Sequence, residues 1–312
     1  MKCLFCYEKL SENEKDFHTL CSKKFFGHPQ PPVFPFAEND LEKLALEVLK
    51  TQTTIPGVQP KISLHLNSEN NKKTPKKFTI VGLWGGYILK PPSSHYLQLP
   101  EVEDLTMHLA SLAKIKVVPH SLIRLKSGNL AYITKRIDRI NNEKIHMEDM
   151  CQLTERLTED KYHGSYEQIG KVIQKFSVNP GLDLVNFCEL VLFSFLTGNA
   201  DMHLKNFSLL HQPNLGIMLS PAYDLLATAL VNPSDDEDLA LTLNGKKKKI
   251  NNKDFSVFFE TMKLDKKQQE NIFKKMAGSK TKWIAKINES FLNEEFKSEY
   301  KLLIDNRFSL LK

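Results

Sequence analysis

The chain has 312 residues, of which 41% are hydrophobic and 26% charged, with a formal net charge of +6. That length accommodates two lobes and a sizeable core, and no run of eighteen apolar residues offers a membrane span. The charge is mild: Lys72, Lys73, Lys76, Lys77 and the lysines at 246–249 are partly offset by the acidic run at 235–238, so nothing singles out a nucleic-acid binder. The opening MKCLFCYEKLSENEKD has too short an apolar part for a secretory signal. Five cysteines without an export signal point to a reduced, cytoplasmic protein.

Residues 1–36 read as a Cys- and Pro-bearing N-terminal segment. Cys3-x2-Cys6 and His18-x2-Cys21 have a spacing that suits tetrahedral zinc, with three thiolates and one imidazole. A small unmetallated cap with buried thiols would use the same residues. The tract PQPPVFP excludes helix and reads as a linker.

Residues 37–140 read as a sheet-rich lobe. AENDLEKLALEVLK has helical apolar spacing, with Asn39 as its cap. A strand is expected from Lys61 to Leu66. Lys77–Gly82 and Tyr87–Lys90 read as two arms of a hairpin around Trp84, Gly85 and Gly86. A helix follows over Pro100–Lys114, with Glu101, Glu103 and Asp104 in its first turn, where the helix dipole favours acids. Leu122–Leu125 and Leu130–Thr134 form a second hairpin.

Residues 141–312 are mainly helical, with helices expected over Tyr166–Phe176, Asp183–Leu196, Phe255–Met262 and Lys266–Met276, and two more before the C-terminus. One short hairpin, Phe207–Leu210 with Ile217–Leu219, interrupts them. The fold class read from this order is α+β and bilobal.

The densest polar chemistry lies in LTGNADMHLKNFSLL, Leu196–Leu210, where an apolar helix gives way to a strand. Asp201 and Asn206 stand in the spacing D-x4-N of a kinase catalytic loop. Such a loop needs an Asp to accept the proton of a substrate hydroxyl, and an Asn to reach a metal on the nucleotide phosphates. Beyond the following hairpin, SPAYD supplies Asp224, a hard oxygen ligand that with Asn206 suits Mg2+. Taken singly, Asp201 and Asp224 also fit turn or cap positions. Lys90, at the end of GGYILK, is the candidate phosphate lysine, held by Glu103, with Glu101 as its competitor. TTIPGVQPK precedes the first strand; amides near Gly57, Val58 and Gln59 suit a phosphate cradle, although a plain turn would serve the same sequence.

IPGVQPKISL, PEVEDLTMHLA, ITKRIDR, EDMCQL, GNADMHLKNFSLL, LSPAYDLL and DLALTLNG, in this order, resemble the HipA family of bacterial toxin kinases over roughly residues 50–250. The short stretch ahead of the phosphate loop is similar to the HipT type of three-part systems, in which a separate small protein, HipS, corresponds to a missing subdomain. The resemblance implies a bilobal, protein-kinase-like fold that binds ATP and Mg2+ and acts as a serine/threonine kinase. Asp201 would be the base, Asn206 and Asp224 the metal ligands, and Lys90 the phosphate contact. Lys135 and Ile137 would fall at the adenine hinge, and Gln152, His203 and Tyr223 would line the nucleotide pocket.

The resemblance also implies an aminoacyl-tRNA synthetase as substrate, tryptophanyl-tRNA synthetase for the HipT type, and inhibition of translation. Partners would be a HipS-like protein and a HipB-like antitoxin, with DNA met only through the antitoxin and no membrane involved. Autophosphorylation would fall on Thr54; Pro56 replaces the second serine of HipT-like chains, and Ile137 stands where a phenylalanine is common. Two other readings keep ATP: a small-molecule phosphotransferase of the antibiotic-modifying kind, and a non-catalytic partner of a DNA-binding antitoxin.

Overall fold

In the computed structural model the described residues are 1–41, 43, 61–67, 76–81, 85–140 and 143–311. The expected phosphate cradle (Gly57, Val58, Gln59), Thr54 and most of the helix expected after residue 37 lie outside them. The chain divides into two compact units. One comprises residues 1–104, 118–142 and 289–291; the other comprises 105–117, 143–288 and 292–312.

The first unit is a five-stranded antiparallel sheet with an N-terminal helix. Its elements are α1 (Thr19–Phe26), β1 (Ile62–Asn67), β2 (Lys77–Ile80), β3 (Tyr87–Lys90), the start of α2 (Leu99–Leu112), β4 (His120–Arg124) and β5 (Leu130–Lys135). The strand order is β2-β1-β3-β5-β4. This corrects the first hairpin: β2 and β3 do not pair with each other but flank β1, with Leu64 opposite both Ile80 and Tyr87. Two residues before β3 the chain passes hard against β1. A Cβ on Gly85 would stand 2.4 Å from the Leu64 carbonyl oxygen, and Gly85 N donates to Ser63 Oγ at 3.1 Å. Only glycine tolerates that approach.

The Pro-rich tract is extended, as proline demands, but it is no free linker. Val33 N bonds the Lys76 carbonyl, and Phe34 is buried against Phe78. Helix α1 was not anticipated. It ends at Gly27, whose φ of +71° suits a helix C-terminus, and it buries Phe25 and Phe26 in an aromatic cluster with Phe78 and Tyr87. Side-chain alternation then sends Lys90 to the face opposite Tyr87 and Leu89.

The second unit is built on helices. After β6 (Met147–Asp149) come α3 (Met150–Leu153), α4 (Tyr166–Phe176), α5 (Pro180–Leu196), β7 (Ser208–Gln212), β8 (Gly216–Leu219), α6 (Asn252–Thr261), α7 (Lys266–Glu289) and α8 (Glu294–Ser309). The β7–β8 hairpin was expected; β6 completes a three-stranded sheet by pairing with β7. Helix α7 continues well past Met276, burying Ile272, Met276, Trp283 and Ile287 on one stripe. Helix α5 is buried on nearly all sides from Phe187 to Leu196, with Phe187 against Phe207, Phe193 against Trp283 and Phe195 against Phe255. Its C-terminus is therefore a rigid base for whatever follows.

Candidate functional site

The loop after α5 leaves the helix through a left-handed turn. Gly198 has φ +68°, and a Cβ there would meet Leu303 and Ala229 at 2.7 and 3.0 Å, so both backbone and space demand glycine. Thr197 Oγ1 donates back to the Phe193 carbonyl, and Asn199 N to the Ser194 carbonyl. Asn199 Oδ1 accepts from Asp201 N at 3.1 Å, an Asx turn that sets the aspartate's backbone. Thr228 Oγ1 accepts from Ala200 N, and Tyr166 Oη donates to the Met202 carbonyl. The loop is thus held from its own helix, from α4 and from residue 228.

On this base the Asp201 side chain stays 44% exposed. Its Oδ1 accepts a 2.5 Å hydrogen bond from Tyr162 Oη. Burial and the Asp201 charge push the Tyr162 phenol up, so it remains a proton donor. Asn206 Nδ2 donates to the Asp201 carbonyl at 2.7 Å, which engages the amide nitrogen and leaves Oδ1 as its acceptor. Asp224 lies two residues after Ala222, whose N bonds the Lys116 carbonyl. It has φ +56°, which a non-glycine residue adopts at a cost of about 1 kcal/mol.

His203 is buried, with Nε2 3.9 Å from Asp201 Oδ1. Burial brings its pKa down to about 4 despite the opposing charges of Asp201 and Asp224, so the imidazole is neutral at pH 7. Its Nδ1 and Asn199 Nδ2 are buried atoms with no hydrogen-bond partner among the described residues. Tyr223 Oη bonds both Ser208 Oγ and the Lys205 carbonyl. Gln152 is engaged in a capping box with Asp149, and Asp149 Oδ2 also holds Lys205 at 2.8 Å. Both Gln152 and Tyr223 therefore brace the loop. Asn206 offers an amide oxygen and Asp224 a carboxylate, each a hard donor of the kind Mg2+ takes.

The first unit carries the other candidates. Lys90 Nζ meets Glu103 Oε1 at 2.6 Å, with both side chains buried, and lies 5.4 Å from the centre of the Tyr132 ring. Glu101, the competitor, is not Lys90's partner. Burial and the Asp104 charge raise its pKa to about 7. Lys135 sits over the Phe25 and Tyr87 rings, and burial with the nearby Lys76 charge holds it below an ordinary lysine. Ile137 is half-buried between Arg136 and Asp138. Burial would raise Asp138, but two hydrogen bonds from Arg136 and the charges of Arg136 and Arg139 hold it low.

Sequence reasoning missed Tyr162, Asn199, Tyr166 and Thr228. Asn two residues before the Asp is a legible Asx signal. Tyr162 stands 39 positions from Asp201 and carries no local signal.

Residues 53–294 match the family described as HipA-like C-terminal domain. Y4dM of Sinorhizobium fredii is 34% identical over 187 residues, 56% of this chain and 45% of that protein. The serine/threonine-protein kinase toxin HipA of Shewanella oneidensis is 26% identical over 217 residues, 62% of this chain and 47% of that protein. The chain spans about half the length of these curated relatives. The structure of the Shewanella oneidensis HipA, HipB and operator DNA complex matches with a TM-score of 0.68 at 22% identity, covering 83% of this chain and 65% of that chain. The fold is accordingly α+β and HipA-like.

Proposed function

The chain belongs to the HipA-like C-terminal domain family, and on that premise we propose that it is an ATP-dependent serine/threonine protein kinase acting as the toxin of a toxin–antitoxin system. The reading rests above all on the loop at 199–206, where one hydrogen bond, Asn206 Nδ2 to the Asp201 carbonyl, couples a half-exposed carboxylate to an amide with its oxygen available. Asp201 accepts the proton of the substrate hydroxyl as that oxygen attacks phosphorus. Tyr162 orients the carboxylate by donating to Oδ1, which leaves Oδ2 for the incoming hydroxyl. Neutral His203 adds no competing positive charge beside the base. Asn206 and Asp224 would hold Mg2+, and Lys90, positioned by Glu103, would bind nucleotide phosphate. Lys135, Ile137, Gln152, His203 and Tyr223 would surround the nucleotide, and the amides of Gly57, Val58 and Gln59 would cover its phosphates. Mg2+–ATP supplies the transferable γ-phosphoryl group when bound.

The acceptor in this reading is a hydroxyl of an aminoacyl-tRNA synthetase, tryptophanyl-tRNA synthetase by the short-form resemblance, and its modification would stop translation in the cytoplasm. A HipB-like antitoxin and a HipS-like small protein are the proposed partners, in line with the HipB complex of the Shewanella HipA. DNA would be reached through the antitoxin. Thr54 is the proposed autophosphorylation site. Among the described residues no helix is long and apolar enough to cross a membrane.

The test is transfer of labelled γ-phosphate into a bacterial lysate by wild type and Asp201→Asn, with mass spectrometry of any labelled band. A synthetase band present with wild type and absent with the variant is the expected result. Bound ATP with no labelled protein would overturn the reading.

A further inference from the structure

The four residues at the N-terminus converge. One ligand atom from each of Cys3, Cys6, His18 and Cys21 lies within 4.8 Å of all the others. His18 Nδ1 is 3.4 Å from Cys6 Sγ and 3.7 Å from Cys21 Sγ. A tetrahedral ion with bonds of about 2.3 Å to sulfur and about 2.0 Å to nitrogen sets those atoms roughly 3.6 Å apart. A thiol hydrogen bond to the imidazole would account for one sulfur at that nitrogen, not two.

The surroundings prepare the histidine as a ligand. His18 Nε2 donates to the Lys9 carbonyl at 3.0 Å, which fixes the tautomer and leaves the Nδ1 lone pair facing the sulfurs. His18 is the N-cap residue of α1, yet its ring makes no capping bond, and Cys21 follows in the first turn. The loop that bears Cys3 and Cys6 is closed by its own backbone. Cys3 N donates to the Glu8 carbonyl, Tyr7 N to the Cys3 carbonyl, and Lys2 pairs with Lys9. Tyr7 takes φ +71°, an unfavoured left-handed conformation for a bulky residue. It is held there by its hydroxyl on Asp104 Oδ2 at 2.6 Å and by an edge contact with Phe291. None of the five cysteines is in a disulfide.

We infer that residues 1–27 form a structural Zn2+ site, with Cys3, Cys6 and Cys21 binding as thiolates and His18 through Nδ1. Four protein ligands leave no position for water or substrate, so the ion is structural and not catalytic. Loading releases the three thiol protons to solvent. The ion joins the loop at 3–6 to the start of α1, and both pieces pack into the first unit. Leu4 O accepts from Leu122 N and Ser121 Oγ, Tyr7 reaches Asp104, and α1 sends Phe25 and Phe26 into the aromatic cluster. Asp104 directly follows Glu103, so the metal also steadies the stretch of helix that holds Lys90. The site stands on Cys and His geometry and does not depend on the kinase reading.

The test is metal analysis of the full chain purified without chelator. One zinc per chain is expected from inductively coupled plasma mass spectrometry. Cobalt exchanged into the protein should give the visible bands of a tetrahedral ion and a near-ultraviolet thiolate charge-transfer band. Cys21→Ser should lose the zinc, while Cys151→Ser keeps it. Should Cys21→Ser fail to fold, His18→Cys serves instead: it should keep the metal and raise the charge-transfer intensity in proportion to four thiolates over three. Substoichiometric zinc in wild type, a weak octahedral-type cobalt spectrum, full zinc in Cys21→Ser, or an unchanged charge-transfer band in His18→Cys would each overturn the site.

Discussion

Lys90 and Asp201 are both charged residues at the ends of apolar elements, and their settings are opposite. Lys90 is sealed against Glu103 at 2.6 Å with only 6% and 2% of the two side chains exposed. Asp201 stands half in solvent, bonded by a neutral phenol and 3.9 Å from a histidine that burial keeps neutral. A sealed ion pair is costly to break, because removing one partner strands the other in a poor dielectric. Among the described residues no lysine or arginine pairs with the half-exposed Asp201 carboxylate. One charge is locked to a buried partner, and the other stands half in solvent.

The sharpest way to break that contrast is at Asp201. Asp201→Asn should lower phosphoryl transfer by about 10²- to 10⁴-fold, the usual worth of a general base, while the melting temperature moves by no more than about 2 °C. A loss of several kcal/mol would instead mean that Asp201 holds the fold. Glu103→Gln should do the reverse and act on the fold first, costing about 3–5 kcal/mol in urea unfolding. The double variant Lys90→Met/Glu103→Leu should recover most of this, and a wild-type midpoint in Glu103→Gln would show that the pair is not sealed.

The pH dependence sharpens the comparison. The free imidazole titrates near 6.5, and His203 in the fold near 4. Between these values the unfolded chain takes up a proton that the folded chain refuses. The stability tied to His203 is therefore complete above pH 6.5 and lost as pH falls toward 4, by up to about 3 kcal/mol. His203→Gln should flatten this part of the stability curve, and two parallel curves would dismiss the buried neutral state. The smallest expected effect belongs to Tyr162→Phe. Loss of a hydrogen bond to the charged carboxylate should move the acid limb of the pH–rate profile upward. An unmoved limb would mean that Tyr162 does not act on Asp201.

The residues of the loop and the lysine pair were legible in sequence because they obey local rules. Asp201 and Asn206 sit at a spacing that one short loop imposes, while Gly198 and Asn199, which set its turn, were not picked out. Lys90 ends a strand, and Glu103 falls on the next helix. Both Glu101 and Glu103 occupy the same helical turn; Glu103 was chosen over Glu101 from sequence, and packing shows that it is Glu103 that meets the lysine. The β2–β3 hairpin was misread. Two extended stretches a few residues apart look like partners until Gly85 is seen pressed against Leu64, with β1 between them.

By itself the sequence determined what short-range chemistry controls: helix periods, the D-x4-N spacing of Asp201 and Asn206, and the motifs shared with the HipA-like family. Tertiary structure alone decided which distant groups meet. Tyr162 on Asp201, the neutrality of His203 and the second sulfur at His18 depend on burial and on contacts between residues far apart in the chain. A desolvation energy or an ion-pair distance is a property of the packed fold, and no local pattern of residues encodes it.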